Sequence, residues 1–145
     1  MNLEKYPVKA KPGNKQFEFT SVGPKGQIIK VVSFQKIQQD YYNFAFGDMM
    51  KNGEINYNIR SNNGDRDKVL ATIASVVPEF LKHHVNAEIF AEGETAAKTR
   101  LYQIGLNKHF REITYRYTIL GYCNEGWERF QPGKNYEAFI IATRQ

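Results

Sequence analysis

Hydrophobic and polar residues alternate along much of the first 60 positions, which is the pattern of β-strands with one buried face. Four segments show this alternation: QFEFTSVG (16–23), QIIKVVSFQKI (27–37), YYNFAFGDM (41–49) and EINYNIR (54–60). The turn sequences GPKG and KNG separate the first strand from the second and the third from the fourth. Strands joined by such short turns pair with their neighbours, so the pattern predicts a four-stranded antiparallel meander.

The hydrophobic period changes after residue 64. Apolar residues then recur every three or four positions: Val69, Leu70, Ile73, Ala74, Val76, Val77, Phe80 and Leu81. This spacing predicts an amphipathic helix from Asp65 to His83. Pro78 lies inside this helix, and because a proline removes a backbone hydrogen bond, we expect a kink or a break near Val77.

The second half of the chain continues the succession of strands and helices. A second helical pattern starts at Glu94 or Thr95, and its first regular run ends at Gly105. Predicted strands cover 85–93, 112–122 and 135–144, with a short hairpin strand in NEGWERF.

The predicted element order is therefore β-β-β-β-α-β-α-β-β. A strand, a helix and a strand in succession form a right-handed crossover, so we expect the fourth and fifth strands to be parallel. The order predicts an α/β (α+β) fold, with a mixed, mostly antiparallel sheet of about seven strands and two main helices. At 145 residues we expect one domain, residues 16–145, after an extended basic lead-in at 1–15.

Composition narrows the class of protein. The net charge of +5 is concentrated in residues 1–40, which hold seven lysines against three acids. Such a segment can bind nucleic acid or an acidic partner, or can serve only as a solvated tail. Cys123 is the only cysteine, which suits a reducing compartment, and no apolar run resembles a signal peptide or a membrane helix. We therefore expect a cytoplasmic protein that does not bind membranes.

From the third strand onward, the predicted order resembles the core of the GNAT acetyltransferase fold. The stretch LYQIGL at 101–106 is similar to the LYxxxGF pattern of that superfamily, and the glycine turn after the fourth strand falls where GNAT enzymes bind the pyrophosphate of acetyl-CoA. This resemblance covers residues 27–145. The whole chain also resembles a Bacteroidota family of unknown function, through FEFTSVGPKGQIIKVVSFQK, SNNGDRDKVLATIAS and NYEAF.

The GNAT resemblance implies a cofactor-binding turn at the start of the first helix. Its candidate residues are Arg60, Asn62, Asn63, Gly64, Arg66 and Lys68. The turn departs from the family pattern: Arg60 is one residue too far from Gly64, and Asp65 and Asp67 add negative charge where a pyrophosphate would lie. Alternatively, Asn63 or Asp65 caps the helix and no anion binds there.

The same resemblance implies two candidate catalytic residues. Tyr102 would protonate the leaving thiolate, and Glu92 would act as a base near the splayed strands. The alternatives are that Tyr102 packs between a helix and the sheet, and that Glu92 is a solvated loop acid.

Other chemistry has weaker support in the sequence. His83 and His84 are adjacent and diverge on a helix, and His109 stands alone, so we expect no metal site. Cys123 has no activating partner nearby in sequence, and we expect an inert thiol. Lys25, Lys30 and Lys36, with the aromatic residues Phe34, Tyr41 and Tyr42, could bind single-stranded nucleic acid weakly.

These observations lead to three hypotheses about function. The first is a non-catalytic binding or regulatory protein with a degenerate GNAT-like domain, no cofactor, and an unknown protein partner or self-association. The second is an acetyl-CoA-dependent N-acyltransferase. The third is a nucleic-acid-binding protein.

Overall fold

The computed structural model of the chain describes residues 4–58 and 62–144. The strands are β1 (Lys9–Ala10), β2 (Gln16–Gly23), β3 (Gly26–Gln38), β4 (Tyr41–Met49), β5 (Ile55–Asn56), β6 (Glu88–Ala91), β7 (Tyr117–Cys123), β8 (Gly126–Arg129) and β9 (Ala138–Thr143). The helices are α1 (Arg66–His83), α2 (Ala96–Lys108) and α3 (Phe110–Thr114). The strands form one sheet in the order β1-β2-β3-β4-β6-β9-β7-β8, and β5 pairs with β4 outside this path.

The sheet is mixed and mostly antiparallel, as the pattern predicts. Within the described residues only β4 and β6 run parallel, and the other neighbouring pairs are antiparallel. The described residues hold nine strands and three helices, more than the seven and two expected. The elements beyond that count are β1, α3 and β8, the last predicted only as a short hairpin strand, and at two to five residues they are too short to produce a clear period in the sequence.

The parallel pairing predicted for the segment at 54–60 is wrong. Among the described residues of this segment, 54–58, Ile55 and Asn56 form the strand, and they pair antiparallel with the end of β4. The parallel partner of β6 is β4 itself, with Tyr41 opposite Glu88 and Phe44 opposite Ala91. The chain after β4 folds back over Gly47, where a Cβ atom would lie 2.5 Å from the carbonyl oxygen of Asn56.

Both main helices lie on one face of the sheet and bury its aromatic residues. The Phe80 ring of α1 stacks on Phe34 of β3 at 4.0 Å between centroids and meets the edge of Tyr42 at 5.0 Å. On α2, Tyr102 packs edge-on against Phe44 at 5.1 Å. No helix of the described residues covers the opposite face, where Tyr41, Phe90 and their neighbours point, since alternate side chains of a strand point to opposite faces.

Two helix predictions are corrected. Helix α1 is not broken at Pro78, which rules out the break that was expected as the alternative to a kink, and α2 continues past Gly105 to Lys108. A Cβ atom on Gly105 would lie 3.2 Å from Leu70 Cδ2, so this glycine permits the close approach of α1 and α2. It does not terminate the helix.

Two strand boundaries also differ from the prediction. Residues 112–116 do not belong to β7, because the chain from Phe110 forms the short helix α3 and β7 begins at Tyr117. The strand predicted from 85 begins instead at Glu88, and Val85 is 60% exposed. In both cases, aromatic or aliphatic residues just before the strand continue its alternating pattern in the sequence, so the predicted strand starts too early.

The packing of Phe80 generates a first prediction. Phe80 is fully buried, so Phe80→Ala should lower the free energy of unfolding by about 3–5 kcal/mol through lost burial and the cavity that remains. Urea denaturation followed by circular dichroism measures this change. Val85→Ala is the control, because an exposed apolar side chain should change stability by less than about 0.5 kcal/mol. Equal effects of the two substitutions would contradict the placement of α1.

Candidate functional site

The predicted cofactor turn precedes α1 and contains a residue in the left-handed region. Gly64 has φ +76, and its N–H donates to Asn62 Oδ1 at 3.0 Å. This amide is therefore already bonded within the turn. Arg60 lies outside the described residues, so its predicted role stays a prediction.

Asn63 points into the protein rather than toward solvent. Its side chain is 2% exposed and accepts a hydrogen bond from the Lys25 N–H at 2.7 Å. Its amide group donates to Ser21 Oγ at 3.1 Å and to the Gly26 carbonyl at 3.0 Å. Asn63 therefore ties the start of α1 to the hairpin between β2 and β3.

Asp65 occupies the N-cap position of α1, but its side chain makes no capping hydrogen bond. The carboxylate instead accepts hydrogen bonds from the Ser21 hydroxyl at 2.5 Å and the Tyr6 hydroxyl at 2.6 Å. Burial and this bond to Asp65 raise the pKa of Tyr6. Tyr6 also donates its N–H to Thr72 Oγ1, so the segment before β1 is fastened along α1. Asp65 therefore occupies the predicted N-cap position, but the capping hydrogen bond expected from its side chain does not form.

The exposed end of α1 pairs its cations with acids. Asp67 lies 3.0 Å from Lys108 Nζ and 3.6 Å from Arg66 Nε, and the hydrogen bond from Lys108 lowers the pKa of Asp67. Lys68 lies 3.8 Å from Glu4 and 4.3 Å from the centre of the Tyr6 ring. The side chains of Arg66 and Lys68 therefore already face negative or aromatic groups of the same chain.

A buried lysine lies where the two parallel strands separate. The pairing of β4 with β6 ends at Phe44 and Ala91, while β4 continues to Met49. Lys98 of α2 is 4% exposed and reaches into this gap, where its ammonium donates to the carbonyls of Phe46 and Tyr57. Glu94 lies 3.7 Å from the ammonium. Burial lowers the pKa of Lys98, and the charges of Glu94 and Asp48 act in the opposite direction.

The two predicted catalytic residues line different spaces. Tyr102 is buried and borders an apolar cavity of about 50 Å³ between the helices and the sheet. Glu92 is exposed and borders an open groove with Thr95, Arg100 and Glu137. Burial, and next the charge of Glu94, raise the pKa of Tyr102, so this phenol is a weaker acid than an ordinary tyrosine.

The residues proposed for nucleic-acid binding are separated by the fold. Lys30 is 3% exposed and forms an ion pair of 2.7 Å with Asp48, while Lys25 and Lys36 are exposed. Phe34 and Tyr42 are buried against α1, whereas Tyr41 points to the opposite face. Lys30, Phe34 and Tyr42 therefore lie away from any surface that a nucleic acid would contact.

Sequence reasoning missed Lys98, although a pattern pointed to it. Glu94, Lys98 and Tyr102 recur every four positions, so they lie on one side of the second helix with the apolar residue Leu106. A lysine on the buried side of a helix is unusual, because lysines are almost never fully buried without partners. Ser21 is a similar case, because a polar residue on the side of β2 that faces the interior indicates a buried hydrogen-bond partner.

Other candidate chemistry finds little support. Within residues 4–58 and 62–144, no group of three or more His, Cys, Asp or Glu side chains could hold a metal ion. Cys123 is half-buried, and His109 is buried with one ring nitrogen 3.5 Å from Glu112. Among the described helices, none combines the length and the apolar character needed to cross a membrane.

The buried network around Asn63 generates a prediction. Asn63→Ala should lower the free energy of unfolding by about 2–4 kcal/mol, because a buried side chain loses the three hydrogen bonds that tie the start of α1 to the hairpin between β2 and β3. Urea denaturation measures the loss. Asn62→Ala is a matched control, since Asn62 is exposed and makes one local bond, and should cost less than about 1 kcal/mol. If both changes cost the same, Asn63 is not the anchor of the turn.

The buried phenol of Tyr102 generates a prediction about alkaline pH. Because its folded-state pKa is raised, the folded chain keeps a proton that the unfolded chain loses above pH ~10. The free energy of unfolding should therefore fall as pH rises above that value, and it should fall less steeply in Tyr102→Phe. Tyr115→Phe, at a side chain 78% exposed, should keep the wild-type slope. Identical slopes in all three proteins would refute the assignment.

Comparison with known proteins identifies a family but no activity. No curated protein and no solved structure matches the chain. A match to DUF6934, a family of unknown function, extends over residues 2–144. Because this match spans nearly the whole sequence, the chain belongs to the DUF6934 family of unknown function.

Proposed function

We propose that the chain is a non-catalytic binding or regulatory protein, built on a degenerate GNAT-like domain whose cofactor cleft is closed. The order of strands supports the GNAT-like part of this proposal. Parallel strands β4 and β6 are joined through α1 and diverge beyond Phe44 and Ala91, and the last strand, β9, lies between β6 and β7. The same order places the start of α1 and the first turns of α2 beside the divergence.

The ammonium group of Lys98 is the observation that carries the proposal. Acyl transfer at splayed strands requires space between them and free backbone groups that a cofactor can contact. Lys98 fills this gap from α2 and is hydrogen-bonded to the carbonyl groups of Phe46 and Tyr57. Displacing it would leave two buried carbonyls and a buried cation without partners, which is costly. The residues present therefore do not fit acetyl-CoA.

The turn before α1 supports the same conclusion. A phosphate group is bound at a helix start by free N–H groups and by cations that face it. Here the Gly64 amide is bonded to Asn62, and Asn63 and Asp65 point inward. Asp67 and Glu4 lie beside Arg66 and Lys68, where like charge opposes an anion.

A role without a cofactor also suits the location that we propose. One half-buried cysteine and the absence of a membrane-spanning helix among the described residues are compatible with a small bacterial cytoplasmic protein. Such a protein would act through its surface, as an accessory or regulatory partner.

A thermal-shift measurement with acetyl-CoA tests the proposal. A ligand that binds only the folded state raises the melting temperature, by an amount that follows RT ln(1 + [L]/Kd). We expect no shift for the wild-type chain at millimolar acetyl-CoA, under conditions where an active GNAT enzyme is stabilised.

The opposite outcome would support the acyltransferase hypothesis. A clear rise in melting temperature that disappears in Gly64→Asp would show that the turn binds the cofactor, and the proposal of a closed cleft would then be wrong. Asn52→Asp is the control, because it adds the same charge at an exposed turn remote in sequence from α1.

A further inference from the structure

The face of the sheet opposite the helices carries apolar side chains over its second half. Along β6, Ile89 and Ala91 line the cavity beneath the helices, so Glu88 and Phe90 point the other way. The registers of β9, β7 and β8 place further side chains on this side. The open face, as we call it, consists of Tyr41, Phe90, Leu120, Tyr122, Trp127 and Ile140.

The aromatic residues of the open face touch one another. Trp127 is 42% exposed, and its ring lies 5.2 Å from that of Tyr122 and 6.2 Å from that of Phe90. Tyr41 lies 6.4 Å from Phe90, so the contacts continue from β8 to β4. The other five residues of the open face are half-buried. A contiguous apolar surface of this kind, uncovered by any described helix, marks a site of interaction.

Two opposite charges frame the open face. Glu88 on β6 and Arg129 on β8 are both exposed, and β9 and β7 lie between them. Arg129 stands opposite Leu120, in the same row as Ile140 and Phe90. Glu88 is two residues along β6 from Phe90, so it lies about 7 Å along the strand direction from the row that contains Arg129. The side chain of Arg129 is long enough to span this distance.

We propose that the open face binds a second copy of this chain, forming a face-to-face dimer about a two-fold axis. The axis runs parallel to the strands between β9 and β7, so it exchanges β6 with β8 and β9 with β7. Glu88 of each copy then faces Arg129 of the other, twice in the dimer. The two apolar faces pack as sheets do in a sandwich, about 10 Å apart.

The charge pattern is the reason to choose a second copy over another partner. A two-fold interface pairs one patch with itself, so an acid on one side and a base on the other make the patch self-complementary. A single-stranded nucleic acid would stack on the aromatic residues but requires a basic surround, and here an exposed acid lies beside Tyr41. This inference deepens the proposed binding function by naming its partner, and rests on it to that extent.

Charge reversal tests the pairing in the full chain. The open face is small, so we expect dimers with a dissociation constant in the micromolar range, measured by analytical ultracentrifugation at about 5–500 μM protein. Glu88→Arg and Arg129→Glu each place like charges opposite one another and should weaken the dimer by roughly tenfold or more. The double variant restores opposite charges and should return within about threefold of wild type.

The controls separate this mechanism from general effects. Glu88 and Arg129 are exposed, so both variants should melt within a few degrees of wild type. Lys36→Glu, an exposed reversal on β3 outside the open face, should leave dimerisation unchanged. Trp127→Ser, which removes the largest exposed apolar side chain of the face, should weaken the dimer by about a hundredfold.

Three outcomes would overturn the inference. The first is a chain that stays monomeric up to about 1 mM, which lies beyond the weak end of specific association. The second is a dimer that is unchanged by the single reversals or is not restored by the double variant. The third is salt-dependent binding of a single-stranded oligonucleotide that Trp127→Ser abolishes, which would assign the face to nucleic acid. Each outcome is independent of acetyl-CoA binding, so failure of the dimer and failure of the closed-cleft proposal can be told apart.

Discussion

The ammonium group of Lys98 joins α2 to β4 and to the segment around Tyr57. Strands β4 and β6 separate beyond Phe44 and Ala91, and the segment around Tyr57 returns beside β4. The carbonyl groups of Phe46 and Tyr57 face the gap. Leaving a buried carbonyl group without a hydrogen bond is costly. Lys98 satisfies both carbonyls and is balanced by Glu94 one turn earlier on α2. Lys98 therefore helps to position α2, on which Tyr102 contacts Phe44, together with the hydrogen bonds of Gln103 to the Lys134 carbonyl and the Tyr136 N–H.

A second polar network performs a similar task at the start of α1. Asn63 and Asp65 both turn away from solvent and meet at Ser21, on the inward side of β2. Tyr6 adds the N-terminal segment to the same group. Gly64 keeps the positive φ that is typical of an anion-binding turn. The Gly64 N–H and the side chains of Asn63 and Asp65, however, form hydrogen bonds within the chain. Local sequence likeness to a phosphate loop therefore does not establish one.

Long elements were predictable from the sequence, because the spacing of their hydrophobic residues repeats enough times to be recognised. Strands β2, β3 and β4 and helix α1 lie within a few residues of their predicted positions. The pairing of β6 with β4 was missed because it depends on Gly47 and the return of the chain after β4, which is a tertiary effect. The inward turn of Asp65 was hidden for a related reason. An aspartate before a helix is expected to cap it, and only the distant Tyr6 and Ser21 explain why it does not.

The two faces of the sheet differ in a way that bears on function. On the helical face, aromatic packing leaves an apolar cavity of about 50 Å³ between the helices and the sheet, while open grooves lie at the start of α1 and beside Glu92. On the opposite face, aromatic rings stay partly exposed between an acid and a base. In the function that we propose, the cleft beside the diverging strands is closed and the chain acts through its accessible surface. Exposed apolar area in water costs free energy, and covering it removes that cost. Opening the cleft would instead leave a buried cation without its hydrogen-bond partners. The proposed function therefore assigns recognition to the open face, in preference to chemistry at the divergence of β4 and β6.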